Sequence, residues 1–410
     1  MLIMKQYNGR YDHKGAEDNM NKKNNSKWMY ISIAAIVLLI TVSVLYFSKI
    51  AADSKSAQEV KSKKGSEILT LWDDGSPAKK ELIDYVEAVT DEKSSDYIPV
   101  KNRIAVFDMD GTICSETNPT YFDYSLFMYR VLEDESYKDK ASDFEKEVAL
   151  RIYNSITGSG SSDGIPVDHG KCVASAFAGM SIDEFEEYVK NFRNMPAPGY
   201  TNMTRGESFY LPMLQVIEYL EANDFTVYII SGTDRFIVRG LIRDNEMLDL
   251  PMDQLIGSDE TLVASGQNGE DGLKYQFTET DKLLLGGDFL IKNLKMNKVS
   301  VIEQEIGEQP VLSFGNSTGD QSMAEYVINN NKYRSLAFMV CCDDMTREYG
   351  NEESAAKMLS LCDQYGWTPI SMKNDWKTIY GDDVIKTSDI KPMPFPIENL
   401  DYVSEEKEAA

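Results

Sequence analysis

The chain is poor in histidine: two among 410 residues, His13 and His169. With so few imidazoles, a Ser-His-Asp triad and a histidine-rich metal cage have little to work with. The five cysteines are odd in number and contain no C-x-x-C pair. That spacing excludes a zinc knuckle and gives no small-domain disulfide framework. Basic residues are outnumbered, 42 against 67 acidic, for a formal net charge of −25. Nucleic acid as a partner is excluded on that balance, because phosphate backbones need a basic footprint. No internal repeat is present.

Charge is also absent from residues 28–47. Their length and unbroken apolarity fit a transmembrane helix, with Trp28, Tyr30, Tyr46 and Phe47 near the two interfaces. An uncleaved anchor is the favoured reading; a cleaved signal peptide with secretion is the alternative. The leading segment is long for a signal peptide, and no clean small-x-small site follows. Lysines lie on both sides (Lys22, Lys23 and Lys27 before, Lys49, Lys55, Lys61, Lys63 and Lys64 after), so charge does not set the orientation. A short tail, one span and a large following domain place that domain outside the cytoplasm. The resulting division is a tail over 1–27, the anchor over 28–47 and a linker over 48–66. A core follows over 67–112 and 210–390, interrupted by a helical insert over 113–209, and an acidic tail covers 391–410.

The centre of the sequence is the stretch 104–112. Four apolar residues, Ile104 to Phe107, run into Asp108, Met109, Asp110, Gly111 and Thr112. A short β-prone apolar run suits a buried parallel strand, and open α/β sheets bind ligands at the carboxyl ends of strands. Two carboxylates that close cannot both stay charged and unpaired. A magnesium ion, bound through one or two carboxylates with water and phosphate completing its shell, would resolve the repulsion. Asp108 is then a candidate nucleophile and Asp110 a candidate general acid/base. The bland alternative is a strand closed by an Asp-Gly turn.

Three later segments decide between these readings. Ser231, Gly232 and Thr233 follow the apolar strand 225–230, where a hydroxyl and free N–H groups can hold phosphate. Gly315, Asn316, Ser317, Thr318, Gly319 and Asp320 follow another strand, over 310–314, and offer oxygens to a cation. Lys298, with Lys292 and Lys295 as rivals, can offset the acidic charge.

In this order the four segments resemble the haloacid dehalogenase superfamily in its phosphatase branch, over about residues 100–345. The resemblance implies a Rossmann-like α/β core with a parallel sheet and a helical cap inserted after the first strand. It implies Asp108 as nucleophile and metal ligand, and Asp110 as acid/base with its carbonyl on Mg²⁺. Thr112, Ser231 and Gly232 are implied on phosphate, Lys298 on the nucleophile, and Asn316 and Asp320 around the metal. Asn316 departs from the pattern, since most phosphatases of this superfamily carry Asp there; a lower Mg²⁺ affinity is expected. The second motif-one Asp favours phosphoester over carbon–halogen chemistry. The insert looks like the cap of phosphoserine-phosphatase-like members and is similar to that of secreted phosphorylcholine phosphatases. In it Tyr121, Tyr124 and Arg130 are candidate substrate contacts, an aromatic group being able to hold a quaternary ammonium. The expected function is hydrolysis of a small phosphorylated metabolite through an aspartyl-phosphate. The alternatives are a phosphotransferase or a phosphate-binding protein without catalysis.

The sequence pattern further predicts helices over 77–90, 121–132, 143–156, 181–192, 211–222, 235–246, 299–306 and 352–365. Strands are expected over 225–230, 310–314 and 336–340, with several short strands over 255–277.

Overall fold

The computed structural model describes residues 65–116, 120–158 and 160–387. The expected anchor over 28–47, its flanking tail and linker up to residue 64, and the acidic tail 391–410 lie outside the described residues. Among the described residues no helix is long and apolar enough to cross a membrane.

Strand β1, Ile104–Phe107, is buried along its whole length because both its edges and both its faces are covered. It pairs in parallel with β3, Thr226–Asp234, and with β6, Leu312–Gly315. The sheet holds seven strands in the order β5-β4-β3-β1-β6-β7-β8. The outer members are β4, Leu255–Ala264, β5, Leu283–Ile291, β7, Leu336–Cys341, and β8, Thr368–Ser371. All neighbours are parallel except β4 and β5. A separate two-stranded ladder joins β2, Tyr200–Thr201, to β9, Ile385–Lys386. Across the middle of the main sheet Phe107 stacks on Phe314 at 4.2 Å and Phe314 on Phe338 at 5.0 Å. This aromatic row ties β1, β6 and β7 together just below the strand ends.

Helix α1, Pro77–Thr90, packs its buried Leu82, Tyr85, Val86 and Val89 on the core. The insert forms α2, Phe122–Leu132, α3, Asp143–Ile156, α4, Ile165–Ala176, and α5, Ile182–Arg193. Ser181 caps α5 in the expected capping box with Glu184. Helix α4 was not expected. Pro166 and Gly170 suppress its helical signal, yet Pro is well placed in a first turn. Gly170 is needed where the helix meets the Phe289 ring of β5, since a Cβ would run into that ring. The core continues through α6, Leu211–Glu221, α7, Arg235–Ile242, α8, Met296–Glu305, α9, Gln321–Ile328, and α10, Glu352–Tyr365.

Two expectations need correction. The short strands expected over 255–277 are one long strand, β4, followed by turns. Its antiparallel partner β5 was hidden because Gly286 and Gly287 interrupt its apolar pattern. Helix α7 stops at Ile242 instead of reaching 246, because Asp244 takes a positive φ of 54°. The polar segment 372–376 has a structural role. Trp376 is buried, its ring edge-on to Trp72 at 6.1 Å.

Candidate active site

Asp108 is delivered by the end of β1, where its N–H still donates to Phe314 O at 2.9 Å. The chain then turns through Gly111, whose φ of +82° an L side chain rarely adopts. A Cβ there would also overlap Asn316 and crowd Glu116. The turn faces Asp110 back into the cleft, beside Asp108.

Lys298, fully buried in α8, reaches across the strand ends. Its Nζ lies 2.5 Å from Asp108 Oδ1 and 2.7 Å from Asp320 Oδ1. Burial opposes the ammonium, but the charges of Asp108 and Asp320 outweigh it, and the lysine pKa is raised. The rivals separate cleanly. Lys292 lines the cleft without entering this bridge, and Lys295 sits at the cap of α8 with positive φ.

Asp320, expected around the metal, also holds its own loop. Its Oδ2 accepts from the backbone N–H groups of Asn316 and Ser317, both at 3.1 Å, and from Ser317 Oγ. With Lys298 on Oδ1, both oxygens are engaged, so Asp320 orients the lysine and the 315–320 loop.

Thr112 donates to Asp108 Oδ2 at 3.2 Å. It therefore braces Asp108. Ser231 is wholly buried and its Oγ accepts from Thr233 N–H at 3.0 Å. Gly232 and Thr233 line the cleft. The expected turn after residue 230 is a continuation of β3, whose pairing with β4 shifts register between Ile230 and Asp234. That irregularity re-aims Thr233, which donates from Oγ1 to Asp110 Oδ2 at 2.8 Å. Thr233 was missing from the candidate residues, although its motif was read; only the bulge reveals its direction.

The cap supplies Tyr121, Asp123 and Tyr124 to the same cleft, which holds about 100 Å³. Arg130 is the expectation the structure overturns. It points into the cap interior, where it pairs with Asp134 at 2.6 Å, donates to Ala176 O, and lies over the rings of Tyr137, Phe177 and Tyr188. Its closeness in sequence to the first motif put it within reach of the site, but Arg130 is engaged inside the cap and is not among the residues that line the cleft. Glu116 was also missed. It lines the cleft, and no motif spacing marks it.

The carboxylates of the cleft share a strained electrostatic balance. Burial, then Asp320, pushes Asp108 up to about 6 against the pull of Lys298. Burial, then Asp123 and Asp108, holds Asp110 well above the usual carboxylate range. Burial pushes Glu116 up to about 8, against its hydrogen bond from Asn316 and with the charges of Asp108 and Asp320. Excess buried negative charge beside one ammonium is the environment a divalent cation relieves. Among the described residues no three His, Cys, Asp or Glu side chains form a metal cage. Magnesium does not require one, since one or two carboxylates suffice with water and phosphate. Asp108, the Asp110 carbonyl and Asn316 are oxygen donors that fit it.

No family model and no curated protein sequence matches the chain. Among solved structures it is similar to a conserved, functionally unknown protein from Anaerococcus prevotii DSM 20548. That match has 14% identity over 72% of this chain and 91% of the other, with a TM-score of 0.44. It is also similar to cytosolic 5'-nucleotidase IIIB bound to cytidine, at 12% identity over 77% and 87% with a TM-score of 0.41. A third is a phosphoserine phosphohydrolase-like protein from Francisella tularensis subsp. tularensis SCHU S4, at 12% identity over 63% and 92% with a TM-score of 0.34.

Proposed function

We propose that the chain is a Mg²⁺-dependent phosphomonoesterase of the haloacid dehalogenase superfamily, acting on a small phosphorylated metabolite. The observation that carries this reading is the buried Asp108–Lys298–Asp320 bridge opposite the Asp110–Thr233 pair. A nucleophile held by a cation, beside a carboxyl group whose acid form burial favours, matches the needs of phosphoryl transfer.

A carboxylate oxygen of Asp108 attacks phosphorus and forms the aspartyl-phosphate as the ester P–O bond breaks. Asp110, whose acid form is favoured by burial and its neighbours, gives its proton to the leaving oxygen, and the alcohol departs. The same carboxylate then takes a proton from water, whose oxygen attacks phosphorus and releases inorganic phosphate and free Asp108. Lys298 offsets the charge on the nucleophile in both halves, and Thr233 holds Asp110 in place. Bound Mg²⁺, held by Asp108, the Asp110 carbonyl and Asn316, supplies charge neutralisation for the phosphoryl oxygens. The cap helices restrict access by macromolecules and favour a small substrate. The uncharged run 28–47 supports a membrane anchor, with the catalytic part outside the cytoplasm.

The test is phosphate release from a panel of small phosphomonoesters, with and without Mg²⁺. Metal-dependent turnover that is lost in Asp108→Asn is expected. No turnover from folded protein that binds Mg²⁺ would transfer the reading to a phosphotransferase or a binding role.

A further inference from the structure

Asn316 and Glu116 meet over Gly111. The Asn316 amide hydrogen-bonds to the Glu116 carboxylate, and both side chains crowd the space where a Cβ of residue 111 would stand. An amide has one donor end and one acceptor end, and the end that Asn316 turns to Glu116 over Gly111 is Nδ2. The pairing therefore commits Nδ2 to Glu116 and leaves Oδ1 as the end available to a cation. Both residues line the cleft that also contains Asp108 and Asp110. They also form the wall it shares with a second hollow of about 240 Å³.

We propose that Glu116 and Asn316 act as one divalent-cation-binding unit, in which Asn316 Oδ1 is the ligand and Glu116 fixes its orientation. This inference rests on the reading of the cleft as a Mg²⁺-dependent phosphatase site. Glu116 is thus a positioning residue that acts through Asn316. Partners of this kind change metal affinity by about 10- to 100-fold when replaced.

The experiment is calorimetric titration of the full chain with Mg²⁺ alone, without substrate. Native protein is compared with Glu116→Gln and with the exchange Glu116→Gln/Asn316→Asp, which restores one amide and one carboxylate with their places swapped. Thermal melting without metal confirms that each variant is folded. The expected result is an affinity about tenfold weaker in Glu116→Gln and recovery to near the native value in the exchange variant. Native binding with an unaltered Glu116→Gln overturns the inference and leaves the phosphatase reading standing. Loss in Glu116→Gln without recovery in the exchange variant overturns the joint action of the pair. A native chain that binds no Mg²⁺ and whose turnover is indifferent to chelation overturns the metal reading and this inference together.

Discussion

Lys298 Nζ lies 2.5 Å from Asp108 Oδ1, and the lysine side chain has no exposed surface. Its other contact is Asp320, at 2.7 Å. A buried cation between two buried carboxylates is costly to create, and removing it is costlier, because it strands two charges. Lys298→Met, similar in length, is therefore expected to destabilise the protein by about 3–5 kcal/mol. It should also cut turnover by about a hundredfold or more, as loss of a charge-stabilising donor does. Urea unfolding and phosphate release measure the two effects. Native-like stability in the variant would mean that the bridge does not hold the site together.

Gly111 carries a second constraint. At φ +82°, with Asn316 and Glu116 crowded above it, it cannot accept a methyl group without moving the turn that separates Asp108 from Asp110. The backbone strain alone is about 1–3 kcal/mol. Gly111→Ala is expected to keep its circular dichroism spectrum but lose at least about tenfold in turnover, equivalent to about 1.4 kcal/mol at the transition state. Full activity in a folded Gly111→Ala would show that the turn has more room than its geometry allows.

The central strands and their terminal motifs were legible because each apolar run stops at a polar loop. The burial of β1 follows from that pattern, whereas its place between β3 and β6 depends on long-range pairing. Helix α4 and strand β5 were not legible. Their Pro and Gly residues weaken local propensity, and the contact between Gly170 and Phe289 that explains one of them is long-range. In the site, Asp108, Asp110 and Lys298 could be named from order along the chain. Thr233 could not be assigned a role, because its aim depends on a register shift between β3 and β4. Glu116 could not, because its meaning depends on Asn316, two hundred residues away in sequence. Arg130 was misplaced because closeness in sequence to the first motif does not say what the side chain meets.

The position of Arg130 separates stability from specificity within one helix. Its guanidinium is engaged by Asp134 and Ala176 O among three aromatic rings, whereas Tyr121 borders the cleft. Arg130→Ala is expected to destabilise the protein by about 3 kcal/mol, the typical cost of breaking a buried pair, with KM changed by less than about twofold, or 0.4 kcal/mol. Tyr121→Ala is expected to do the reverse, leaving the melting temperature near native and changing KM for the substrate. Melting curves and steady-state kinetics on the pair check both. A large KM effect from Arg130→Ala would return it to the substrate contacts.

His169 gives the cap a defined pH response. It is buried against Tyr124 and Phe127, its ring centroid 4.4 and 5.3 Å from theirs. Burial lowers its pKa from 6.5 to about 4, with Asp123 opposing the change and Lys292 assisting it. The folded chain thus keeps the imidazole neutral where the unfolded chain would protonate it. Its contribution is present above about pH 6.5 and is lost as pH falls from there towards 4. A tenfold difference in proton affinity between folded and unfolded chain is worth about 1.4 kcal/mol, so the whole loss is about 3 kcal/mol at most. The raised carboxylates of the cleft act in the opposite direction, so native stability alone cannot isolate the histidine. The difference between native protein and His169→Gln can. Chemical unfolding from pH 7 to pH 4 should show the native chain losing more stability than the variant, with the gap opening below about pH 6.5. Parallel curves across that range would mean that the imidazole already titrates normally in the folded cap.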